Sequence, residues 1–198
     1  MGQRLNLEIR KKNRVLANSY YHWSAYTGSA YEIAKIAIGY IQDHEDETDS
    51  RLLAIRALEE TGAGCEEDDI NFLKDLNIKY SQLDFKKCVS RNEGILSVSP
   101  YTIKSTQDWA EGTCILEIED PTDIRINFDV LGFWDSKEYY ETECGLTDEE
   151  KKSFEANLVS DSFDLNNLSI ADFDDLIKLI MEGKYIELSD KTILCELG

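Results

Sequence analysis

The chain has 198 residues, 40 acidic and 21 basic, for a formal charge of −19. At neutral pH it repels free nucleic acid, so direct DNA binding is not expected; the charge suits a basic partner, or serves solubility. Apolar residues at 42% and aromatics at 10% supply a core and argue against wholesale disorder, while no apolar run is long enough to span a membrane.

The elements follow in chain order. Arg4–Arg10 alternates Leu5, Leu7 and Ile9, a half-buried strand. Lys11–Arg14 makes a turn and Val15–Trp23 the return strand of a hairpin. Ser29 and Glu32 have capping-box spacing and predict a helix through Gln42 with Ile33, Ile36, Ala37 and Tyr40 on its apolar face. A second helix is expected over Ser50–Thr61, with Leu52, Ala54, Ile55 and Leu58 inward and Gly62 as its C′ residue. A third is expected over Glu66–Leu76, with acids in its first turn and Ile70, Leu73 and Leu76 inward.

The middle is β-rich. Glu93–Ser99, Thr113–Glu119 and Ile124–Val130 read as strands, a short helix lies between Pro100 and Trp109, and Asp120–Asp123 is a proline turn. Helices over Asp148–Leu158 and Ile170–Glu182 follow, the latter with Ser169 as N-cap and Gly183 as C′ glycine. Tyr185–Leu188 and Thr192–Cys195 form a closing hairpin. The pattern is α+β: a mainly antiparallel sheet with helices packed on one face and an acidic helical C-terminal part. Residues 1–135 form the core domain; 136–198 form an acidic helical segment with the hairpin, either as an annex or as part of the same domain.

The five cysteines, Cys65, Cys88, Cys114, Cys144 and Cys195, are odd in number and widely spaced. That argues against a zinc knuckle or a disulfide framework and for reduced thiols in a cytoplasm. No signal-peptide pattern opens the chain, which agrees with that location. No metal or cofactor is expected: Asp161–Asn167 lacks the turn glycine of a calcium loop, and no phosphate-binding, zinc-protease or nucleophile-elbow motif occurs. Cys88 and His22 are a conceivable nucleophile and base without any local signature, so no catalytic residue is assigned.

Charge is uneven. Residues 1–42 hold six basic and two acidic residues, a net of +4, which leaves −23 on the remainder. Three acidic strips are candidate partner-binding surface: Glu59, Glu60, Glu66, Glu67, Asp68 and Asp69; Glu138, Glu141, Glu143, Asp148, Glu149 and Glu150; and Asp172, Asp174 and Asp175. Carboxylates a few residues apart on helices approach the charge density of duplex DNA, about one charge per 1.7 Å of axis. The same residues equally serve as a solvated exterior. A second candidate is a ligand pocket of Tyr21, His22, Trp23, Tyr26, Arg91 and Asn92, which combines aromatic faces with a planar guanidinium. Its alternative is an ordinary strand whose aromatics fill the core.

The phrases LANSYYHWSAYTGSA (Leu16–Ala30), LLAIRALEETGAG (Leu52–Gly64) and SRNEGILSVS (Ser90–Ser99) resemble small acidic proteins of Gram-positive phages and mobile elements. Some members of that group are suspected of countering host defence, including anti-CRISPR inhibitors. The resemblance covers roughly the first 130 residues. It implies a non-enzymatic phage protein, a DNA mimic acting in the host cytoplasm on a basic nuclease such as a Cas9–guide RNA complex. The rival expectation is a protein that sequesters a nucleotide signal of host immunity. The aromatic hairpin also offers a face for a homodimer.

Overall fold

The structure, a computed structural model, describes residues 3–76, 94–131, 133–134, 147–188 and 192–193. The first hairpin pairs β1 (Leu5–Lys11) with β2 (Arg14–Tyr21), Leu5 opposite Tyr21. Lys12 and Asn13 at its tip have φ of 52° and 59°, the double left-handed turn whose twist matches that of flanking strands. Glu117 Oε1 accepts from the Asn13 amide and anchors this tip.

Helices α1 (Thr27–Asp43) and α2 (Ser50–Glu60) follow. Helix α1 starts two residues before the predicted cap: Tyr26 is its N-cap, without a side-chain bond, and Ser29 lies inside the helix. Its buried stripe is Thr27, Ala30, Ala34, Ala37, Ile38 and Ile41, while Ile36 is 44% exposed. The expected face is therefore rotated. Alanines make the close contact, and the bulkier Ile33 and Tyr40 pack at its margin. In α2 the Asp49 side chain accepts from the Arg51 and Leu52 amides, and Gly62 beyond its end has φ 92°. Leu52 lies at the margin, and Leu53, Ala54, Ile55, Ala57 and Leu58 are buried.

Next come β3 (Gly64–Cys65), α3 (Glu67–Leu76), β4 (Ile95–Ser97) and α4 (Pro100–Gln107). Ser99 caps α4 through the Thr102 amide, with Pro100 in the first turn, where its missing N–H costs nothing. Strands β5 (Gly112–Asp120) and β6 (Asp123–Asp129) meet at the proline turn, where Asp120 Oδ1 accepts from the amides of Thr122 and Asp123. The last elements are β7 (Phe133–Trp134), α5 (Asp148–Asn157), β8 (Leu158–Ser160), α6 (Ile170–Met181), β9 (Tyr185–Glu187) and β10 (Thr192–Ile193). Thr147 and Glu150 form a capping box on α5, Ser169 and Asp172 another on α6. Gly183, with φ 75°, follows α6 as expected. Strands β9 and β10 pair antiparallel, while the predicted hairpin tip at 189–191 lies outside the described residues.

The fold is α+β. Six strands run in the order β3-β4-β2-β1-β5-β6, and four more form a small sheet in the order β7-β10-β9-β8. Most pairs are antiparallel; β1–β5, β3–β4 and β8–β9 are parallel. The acidic C-terminal part shares the main core: Leu165, Leu168, Phe173, Leu176, Ile177 and Ile180 belong to one buried cluster with Leu7, Cys114 and Phe128.

Register separates two unlike faces of the six-stranded sheet. Alternate residues point to opposite sides, so Cys65, Leu96, Ser19, Leu7, Cys114 and Phe128 form one row across it. Helices α1, α2 and α6 cover this apolar side: Tyr21 hydroxyl meets Thr61 at the end of α2, and Phe173 of α6 packs edge-on against Phe128 at 4.9 Å. The opposite side carries the row Ser97, Asn18, Glu8, Ile115 and Asn127, with Asn6, Tyr20 and Thr113 beside it. Helix α4 lies over part of this polar side, where the Asn18 amide donates to Thr106 Oγ1 and the Gln107 amide to Glu8. One helix thus takes the face opposite the others.

Candidate functional site

The polar face is the part of the sheet where side chains are not spent on the core. Asn6, Glu8, Asn18 and Ser97 are each at most 2% exposed there. Glu8 is bracketed by the Arg10 guanidinium and the Gln107 amide, so its buried charge is compensated. Asn6 Oδ1, Asn18 Oδ1 and Ser97 Oγ have no hydrogen-bond partner among the described residues. Two cavities open on the polar face, and the second borders α4. One, of about 350 Å³, is polar and includes Arg10, Glu117, Arg125, Asn127 and Asn166 in its lining. Its arginines are already engaged, Arg10 by Glu8 and Arg125 by Asp123. The other, of about 300 Å³, is lined by Arg4, Tyr20, His22, Ile95, Ser105, Thr106 and Trp109.

The predicted aromatic pocket divides between the two faces. Tyr21 points into the apolar core, 3% exposed, where burial pushes its hydroxyl up to about 12. The Tyr26 hydroxyl accepts from the Gln3 side-chain amide. Trp23 is 48% exposed and meets the His22 ring edge-on at 4.7 Å. Of the described members of the expected set, His22 alone lines the second cavity, joined there by Tyr20 through a 3.2 Å contact between Tyr20 Oη and His22 Nδ1. Arg91 and Asn92 lie outside the described residues. The parity of β2 sends Tyr21 inward and Tyr20 outward, a split that alternation anticipates. Trp109 and Arg4 come from other elements, and nothing local in the sequence links them to His22.

The acidic strips are thinner than their sequence. In the first, Asp69 is 1% exposed and Glu59 8%. Asp69 Oδ1 accepts from the Val98 and Ser99 amides and from Thr102 Oγ1, holding the β4–α4 corner. Glu59 pairs with Arg56. Glu60, Glu66, Glu67 and Asp68 are exposed. In the second strip Glu138, Glu141 and Glu143 lie outside the described residues, while Asp148, Glu149 and Glu150 are exposed. Glu150 serves the α5 cap, where Thr147 holds its carboxyl below the usual range. In the third, Asp172 caps α6 and is likewise held low by Ser169. Asp174 binds Lys35 Nζ at 2.9 Å, and Asp175 is exposed. Asp69, Glu59 and Asp174 thus act within the molecule, and among the described strip residues Glu60, Glu66, Glu67, Asp68, Asp148, Glu149, Glu150, Asp172 and Asp175 are exposed. The basic hairpin tip is likewise not bare: Lys11 Nζ donates to Ser50 Oγ, and Glu117 and Asp120 lie nearby.

Burial pushes the Cys65 and Cys114 thiols well up, so neither is a nucleophile in the folded chain. Cys88, Cys144 and Cys195 fall outside the described residues. Among the described residues no His, Cys, Asp and Glu side chains gather as a metal cage, and no helix is long and apolar enough to cross a membrane. No known family model, no characterised protein and no solved structure matches this chain.

Proposed function

We propose that this chain is a non-catalytic inhibitor that places its outward carboxylates in the nucleic-acid groove of a basic host defence nuclease, of the RNA-guided class. The observation that carries the reading is the run Glu66, Glu67 and Asp68 at the start of α3. All three are exposed and have no ion-pair partner among the described residues. Glu60, just past β3's other flank, adds a fourth exposed acid. An RNA-guided nuclease holds its heteroduplex in a positive channel, and acids fixed on a helix there compete with the phosphates. With a net charge of −19 the field also speeds encounter with such a channel.

The test mixes the protein with a nuclease–guide complex and follows target-DNA cleavage as salt is raised. Inhibition is expected at low salt and should fade as the Debye length drops from about 10 Å at 0.1 M to about 3 Å at 1 M. Replacing Glu66, Glu67 and Asp68 together by lysine should abolish it, whereas Asp175→Lys should not. Full cleavage at every salt concentration removes the proposal.

A further inference from the structure

We infer that the cavity beside α4 on the polar face is a binding site for an uncharged nucleoside-type ligand. Its volume, about 300 Å³, is at the small end of ligand pockets and suits one ring system with a compact substituent. Three aromatic side chains border it. Tyr20 and His22 leave β2 on the polar side, and Trp109 stands just beyond α4 with 62% of its surface in solvent. An indole so exposed at the mouth of a cavity offers a flat apolar face for stacking.

The polar groups are few and placed at the edge. Tyr20 Oη engages His22 Nδ1, so the other ring nitrogen of His22 has no partner among the described residues. The Ser105 hydroxyl is likewise unengaged there. Flat heteroaromatic rings with donors and acceptors on their rim are recognised by this combination of stacking and edge hydrogen bonds.

Charge sets the rest of the choice. Arg4 is the only arginine or lysine among the described residues that line the cavity, and it is taken: Glu111 receives its Nε at 3.3 Å and lies 3.3 Å from its Nη2. A phosphate would meet a neutralised arginine within the field of a strongly acidic chain. The site therefore favours the nucleoside over its monophosphate. This inference is independent of the docking role proposed for α3, which uses different residues.

Calorimetric titration of the intact protein with adenosine, guanosine, cytidine and uridine, each beside its 5′-monophosphate, tests it. Saturable binding of at least one nucleoside is expected, weaker for the corresponding monophosphate. Trp109→Ala removes only an exposed side chain and should weaken that binding about tenfold, the usual worth of one stacking contact. Tyr101→Ala, at an exposed aromatic that does not line the cavity, should leave it unchanged. No saturable binding of any nucleoside, or equal binding by Trp109→Ala, overturns the site. A monophosphate that binds more tightly than its nucleoside overturns the charge argument.

Discussion

The two faces of the six-stranded sheet are built from the same strands and do opposite work. On one side Leu7, Cys114, Leu116, Ile126 and Phe128 are fully buried beneath three helices. On the other, one short helix of eight residues covers Asn18 and Glu8, and a cavity opens beside it. Strand β1 is buried on both sides, yet its inward set is Leu5, Leu7 and Ile9 and its other set Asn6 and Glu8. A strand that hides polar groups this thoroughly gives up apolar burial. The difference teaches that stability is concentrated on the face covered by three helices, whereas the other face gives up apolar burial for hydrogen-bonding groups.

The sharpest way to break that contrast is to truncate the apolar face. Phe128→Ala should cost about 3–5 kcal/mol in denaturant unfolding, because a fully buried ring and its partner Phe173 lose their contact. Its neighbour Asn127 faces the other way, and Asn127→Ala should change stability by no more than about 0.5 kcal/mol. Equal losses would end the distinction. Next in size is Asp69→Ala, expected to cost about 2–3 kcal/mol by leaving the Val98 and Ser99 amides and the Thr102 hydroxyl without their acceptor. Asp68→Ala, one residue earlier and exposed, should be close to neutral in the same melts.

The α6 cap should show as a pH effect. Asp172 is held below its ordinary 3.8 by Ser169, so its contribution is present in full above that value and is lost as pH falls through the lowered folded one. Ser169→Ala should cost about 1 kcal/mol near neutrality, and the gap from the parent protein should narrow as the solution is acidified below pH 3.8, leaving the part due to the Asp172 amide bond to Ser169 Oγ. Thermal melts across that range measure it. The smallest effect has the opposite sign. Ser97→Ala removes a buried hydroxyl that has no partner among the described residues and should raise stability by up to about 1 kcal/mol. A loss instead would mean that this hydroxyl is satisfied in solution.

Much of the fold could be read from local signals. Leu5, Leu7 and Ile9 declared β1, Pro100 the start of α4, and Ser169 with Gly183 both ends of α6. These rest on spacing and on single-residue backbone preferences. The buried phase of α1 was not legible, because its contact surface is alanine and large apolar residues dominate a hydrophobic pattern even where they fall at the margin. The inward acids were not legible either: whether Asp69 meets solvent depends on amides contributed from about thirty residues away. The same holds for the cavity beside α4, where Arg4, His22 and Trp109 meet only because β1, β2 and the end of α4 are neighbours in space. The pairing of Glu111 with Arg4, which decides what that cavity accepts, spans more than half the length of the chain.

The outer margin of β6 is closed by the C-terminal part. Ile126 and Leu168 exchange both of their backbone hydrogen bonds at 2.8 Å, and the Phe128 amide donates to Leu165. An open strand margin is a template for stacking chain upon chain. Shortening the protein after residue 135 would strip that margin as well as α6, so the truncated product should collect as insoluble assemblies rather than survive as a smaller version of itself. The acidic third of the molecule is, in this sense, the guard that keeps its sheet solitary.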